Sequence, residues 1–183
     1  MFRSAVVLGG LILGLSQISV VEAQTSIHGT VISQSRVPGA NGASMLLKSV
    51  RTFAGPVRLY ADFLNRTGNT IRRDVEIGSS AITGNQSGPL ATGLVNGGYA
   101  ISWRNDHPSA NGGVRYTVIT AEGSHVARDF KANIRFSTSL TPSAVTANSN
   151  GGFAITWRDT ARRTNWIRYF NSRGTPISGE SLN

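Results

Sequence analysis

From Phe153 onward, apolar and polar positions alternate. Phe153, Ile155 and Trp157 fall on one face of an extended chain, and Ala154, Thr156 and Arg158 on the other. Tyr99, Ile101 and Trp103 oppose Ala100, Ser102 and Arg104 in the same way. Strand side chains alternate faces with period two, so this pattern predicts half-buried β-strands. The dipeptides Asn41-Gly42, Asn96-Gly97, Asn111-Gly112 and Asn150-Gly151 favour the positive φ of tight turns between antiparallel strands. No stretch beyond the N-terminal apolar run carries a helical period.

The two alternating stretches are near copies: NGGYAISWRN from Asn96 and NGGFAITWRD from Asn150. Three units overlay, at about 28–78, 89–136 and 143–183, the first degenerate. In each, a second strand opens on an apolar residue and an arginine (Val57-Arg58, Val114-Arg115, Ile167-Arg168) and a glycine then turns the chain (Gly68, Gly123, Gly174). The spacings from arginine to glycine are 10, 8 and 6. Even steps preserve which residues face the core. A period near 50 residues with several strands per unit is a blade signature. The expected fold is all-β, three antiparallel blade-like repeats forming an incomplete propeller or an open β arc or sandwich. Propellers typically close with about 4–8 blades. Three units leave three solutions: a compact open arc, a ring completed by a second chain, or a shortened relative of a longer protein, with a further unit expected beyond GESLN.

The stretch NGGFAITW…IRYFNSRGTPISGE resembles the repeat of large secreted bacterial surface and hemolysin-type proteins. There a unit reads roughly NGGFVVTW, then an aromatic-rich strand, then a turn of the kind DxxGxPVGxEF. The likeness is good over Asn150–Glu180 and Asn96–Trp103, looser through the rest of the second unit, and only suggestive in the first. It implies a propeller-like extracellular array used for binding or display. The pattern's acidic turn residue is Asn171 here, and glycine-aspartate calcium nonapeptides are absent, so calcium is not implied.

The N-terminus adds an address. Arg3 precedes the apolar run Ala5–Leu15, and Val21-Glu22-Ala23 offers a signal-peptidase site, with cleavage expected before Gln24. The run is shorter than the ~20 residues a membrane helix needs. This predicts a leader, 1–23, and a single exported β-repeat domain, 24–183, secreted or periplasmic. The chain has no cysteine, which removes disulfides and thiolate metal sites and suits a bacterial source.

Charge narrows the partners. The net charge is +9, and Lys48 and Lys131 are the only lysines. Arginine offers a planar fork suited to carboxylate, sulfate and phosphate and stacks on aromatic rings. A solvated basic surface and affinity for polyanions are both open readings.

Catalysis is not expected. His28, His107 and His125 show no zinc-binding spacing, and no serine lies in a GxSxG elbow. Asp74 and Glu76 stand two apart beside Arg72 and Arg73, which reads as a salt-bridge patch more readily than a glycosidase pair. No metal or cofactor is expected. Asn65-Arg66-Thr67 and Asn85-Gln86-Ser87 are glycosylation sequons where the host glycosylates exports. Trp103 and Trp157 share the phase of Ile101 and Ile155 and are expected in the core. Trp166 stands outside that repeat and is the better ligand candidate.

The expected function is a non-catalytic binding or adhesion module, lectin-like towards acidic glycans. The expected ligand-binding residues are Arg104, Asp106 and His107 on one loop and Arg158, Asp159, Arg162 and Trp166 on another. Loops on a rigid scaffold are where binding is usually placed. The alternatives are a structural repeat that packs with itself or with a larger surface protein, and a secreted effector that binds nucleic acid or another polyanion.

Overall fold

A computed structural model of the chain describes residues 25–108, 112–135, 137 and 139–183. The expected leader and Asn111 of the third Asn-Gly pair lie outside the described residues.

Alternation becomes strands where it was read. β1 (Thr25–Ser26), β2 (Gly29–Pro38), β3 (Ser44–Thr52), β4 (Val57–Leu64) and β5 (Thr70–Glu76) form the first sheet, paired in that order. β6 (Gln86–Gly93), β7 (Tyr99–Asn105), β8 (Gly113–Ile119) and β9 (His125–Lys131) form the second. β10 (Leu140–Ala147), β11 (Phe153–Asp159), β12 (Thr164–Phe170) and β13 (Ser181–Leu182) form the third. Neighbouring strands are antiparallel throughout, and no sheet closes on itself. The protein is all-β.

The sheets stack face on face. Tyr99, Ile101, Trp103 and Ile119 of the second sheet pack against Met45, Leu47, Leu59, Ala61 and Phe63 of the first. On the second sheet's other side, Ala100, Val114, Tyr116 and Val118 meet Phe153, Ile155, Trp157 and Phe170 of the third. The central strands of the middle sheet, β7 and β8, are therefore buried on both faces. Trp103 and Trp157 are 0% and 1% exposed, the core positions their phase predicts. Burying each such side chain contributes about 1.5–3 kcal/mol.

The far face of the first sheet sets charged groups around a small apolar cluster of Val31, Val50 and Tyr60. Lys48 Nζ bridges Asp62 at 2.8 Å and Asp74 at 2.6 Å, and the His28 ring stacks on Tyr60 with centroids 4.2 Å apart.

The repeat alignment needs one correction. Asn65–Asn69, Thr120–Ser124 and Asn171–Thr175 close the same turn with the same backbone bond. Counted back from these turns, Tyr60, Arg115 and Trp166 correspond, opposite Lys48, Trp103 and Trp157. Arg58, Arg115 and Arg168 do not. Their even spacing records an arginine placed at different depths on one strand face, not hairpins of different length.

The second and third of these turns, at Gly123 and Gly174, also make the seams. Gly174 has φ +82°, and a Cβ there would lie 2.8 Å from Ala127 Cβ. The turn therefore requires glycine both for its left-handed backbone and for its close seat on the second sheet. The Tyr116 hydroxyl donates to the Gly174 carbonyl at 2.6 Å, which pins the two sheets together.

Candidate functional site

At the tip of the β11–β12 hairpin, Asp159 organises its own turn. One carboxylate oxygen accepts the N–H groups of Ala161 at 3.1 Å and Arg162 at 3.2 Å. The other accepts Nη1 of Arg162 at 2.9 Å. Aspartate favours this local bonding to backbone just ahead of it. Burial alone would push its carboxyl up. The hydrogen bonds and charge of Arg162, with the Ala161 N–H, outweigh this and hold it below its ordinary value.

A second acid faces it across the site. Glu180, just before β13, accepts the Ile134 N–H at 2.5 Å and the Arg135 N–H at 3.4 Å. The Arg135 side chain stands 3.8 Å from the Glu180 carboxylate. Its guanidinium lies over the Trp166 ring, 4.6 Å from the centroid, a favourable cation–π placement. Trp166 Nε1 donates to Thr164 Oγ1 at 3.1 Å, which sets the angle of the ring.

Together these groups bound a cavity of about 400 Å³, with Leu140 and Trp157 supplying apolar wall. Its electrostatics are lopsided despite two acids and two bases. The Asp159 and Glu180 side chains are 2% and 6% exposed and spent on internal bonds, whereas Arg162 and Arg135 are 65% and 71% exposed. The face offered to solvent is cationic.

Of the expected residues, Asp159, Arg162 and Trp166 meet here. Arg158 does not. It alternates away from Trp157 and Asp159, opposite Asn165, and is exposed on the third sheet's outer face. Arg104, Asp106 and His107 belong to the β7–β8 hairpin and do not line this cavity. The Asp106 carboxylate accepts the Asn85 N–H at 2.6 Å and Asn85 Nδ2 at 2.9 Å, which clamps the linker between sheets. The His107 N–H donates to Asn105 Oδ1 at 3.0 Å, and Arg104 is half-buried. One expected use of Trp166 changes as well: one face of the indole is already taken by Arg135, so the ring serves first to hold that guanidinium flat.

Arg135 and Glu180 complete the site, and pattern reading missed both. Arg135 lies at the end of the second unit, after β9, where no repeated motif drew attention to it. Glu180 had one signal, the closing Gly-Glu of the repeat pattern.

Among the described residues, no cluster of His, Asp or Glu could hold a metal ion. Among them, too, no helix is long and apolar enough to cross a membrane. The aspartate and glutamate noted in the first unit are each ion-paired, Asp74 with Lys48 and Glu76 with Arg128 at 2.6 Å. No protein-family model matches the chain, and no curated protein matches it.

Proposed function

We propose that the protein is an exported, non-catalytic binding module. It takes the acidic group of a glycan at the β11–β12 tip, between Arg135 and Arg162. One observation carries this reading: both carboxylates of the site are buried and satisfied, while both guanidiniums stand more than half exposed around an apolar wall. Guanidinium forks match carboxylate and sulfate groups, and the half-buried Trp166 ring, rather than buried Leu140 and Trp157, is the aromatic surface beside them. In this reading the three sheets are an open arc of propeller-like blades, akin to the repeats of secreted bacterial surface proteins.

The test is binding of the purified chain to uronate-bearing, sulfated and neutral oligosaccharides, and to single-stranded DNA, at low and high salt. Selective binding of one acidic glycan class that persists in salt is expected, with a loss of about tenfold or more in Arg135→Ala and Arg162→Ala. Unchanged binding in both variants overturns the site. Uptake of every polyanion, vanishing with salt, points instead to the generic charge of a nucleic-acid or polyanion binder.

An assembly role is the second reading. It is favoured by the third sheet's outer face, where Tyr169 is 40% and Ile177 59% exposed. That role predicts a defined oligomer in light scattering and no glycan binding.

A further inference from the structure

The two seams between sheets share one plan and differ in what fills them. In the seam between the first and second sheets, Arg72 lies against the Thr120–Ser124 turn and donates Nη1 to the Gly123 carbonyl at 3.0 Å. His125 is half-buried beside it. In the seam between the second and third sheets, register puts Ala127 where Arg72 stands, and Pro176 where His125 stands. The change from arginine to alanine leaves a groove of about 590 Å³.

The groove's chemistry is uneven in a useful way. Tyr116, Val126 and Phe130 form its apolar side, with Val126 46% and Phe130 54% exposed. Lys131, Arg168 and Arg173 line it too, and no carboxylate does among the described residues. By register Lys131 stands where the first sheet has Glu76, so the sign of the charge is reversed between seams. Arg168 donates Nη1 to the Ala132 carbonyl at 2.8 Å and Nε to the Ser178 carbonyl at 3.2 Å. Carbonyls hold the guanidinium in place without neutralising it. The Tyr116–Gly174 bond fixes the floor, so the groove is formed before anything enters it.

We propose that this groove binds a small amphiphilic anion. Its aromatic or short apolar body lies on Phe130, Val126 and Tyr116, and its carboxylate, sulfonate or phosphate head sits among Lys131, Arg168 and Arg173. The volume suits one such molecule, since ligand pockets usually span about 300–1,000 Å³. The site is separate from the hairpin-tip cavity, which shares none of its lining residues.

The experiment is calorimetric titration of the purified chain with 1-naphthoate, 1-naphthalenesulfonate, 1-naphthyl phosphate and neutral 1-naphthol. The three anions are expected to bind one per chain, with naphthol at least about tenfold weaker, and their ranking identifies the preferred head group. Arg173→Gln should weaken the anions by about tenfold and leave naphthol alone. Ala127→Arg copies the filled seam and should abolish binding of all four while the thermal transition persists. Equal affinity for naphthol and the anions overturns the proposal, because the surface would then be merely apolar. Anion binding lost in Arg162→Gln but kept in Arg173→Gln also overturns it, by assigning the ligand to the hairpin-tip cavity.

Discussion

The Asp129 carboxylate accepts the backbone N–H of Ser79 at 2.6 Å, tying the second sheet's outer strand to the linker that enters that sheet. Asp129 also pairs with buried Arg115. Glu180 repeats the device one unit later, on Ile134. Register places Asp74, Asp129 and Glu180 at corresponding points. In the first sheet Asp74 takes Lys48 and Ser26. Each unit thus spends one acid on the linker or strand that precedes it.

The latches should carry unequal stability. Asp129→Ala strands a buried arginine and is expected to cost about 3–5 kcal/mol. Glu180→Ala leaves backbone donors near the surface and should cost about 1–3 kcal/mol. Urea unfolding of the two variants checks the order, and equal losses would refute it.

Glycine at two corresponding turns separates conformation from contact. Gly68 and Gly174 both have φ +82°, but a Cβ at Gly68 meets nothing within 4 Å. Gly68→Ala should cost about 1–2 kcal/mol, the left-handed penalty alone. Gly174→Ala adds overpacking against Ala127, worth about 1–3 kcal/mol more. Thermal denaturation of both reads the difference.

His125 gives the first seam a pH response. Its pKa is lowered by burial and by the Arg128 and Arg72 charges, against hydrogen bonds that the ring donates to the backbone of Ile77 and Glu76. Above pH 6.5 the imidazole is neutral in both states. As pH falls below that value the unfolded chain takes up the proton first, so stability declines until the folded pKa is passed. His125→Gln should flatten this part of the profile in urea titrations, with Asp and Glu contributions unchanged.

Asp159 governs the acid side of the hairpin tip. Its folded pKa lies below 3.8, so its contribution is complete above that value and is lost as pH falls through the folded pKa. Asp159→Asn should reduce the loss of stability on going from pH 5 to pH 3. Trp166 fluorescence, sensitive to the turn that carries Arg162, should follow the same change in the wild-type chain. A variant as acid-sensitive as the wild type would exclude this carboxylate as a source.

Strand phase was legible because each signal was local. Phe153, Ile155 and Trp157 declare a face within five residues, and Asn150-Gly151 declares a turn in two. The site was only partly legible. Asp159, Arg162 and Trp166 are close in sequence and meet in space. Arg135 comes from another unit and joins them only because the linker folds back over Trp166. Arg158 adjoins Asp159 in sequence, but the two-residue period sends it to the opposite face. Asp106 and His107 resembled a binding loop, yet Asp106 is consumed by Asn85, its cross-strand neighbour at the end of the β6–β7 pair.

What the sequence by itself determined is the all-β class, the three units and the two faces of β7 and β11, since these follow from backbone geometry and side-chain period. Only the tertiary structure decided which seam is filled and which is open. Arg72 and Ala127 look unrelated along the chain, and they become equivalent only through strand register. Whether a charge is displayed or spent was likewise settled by packing, because burial and hydrogen-bond partners depend on residues distant in sequence.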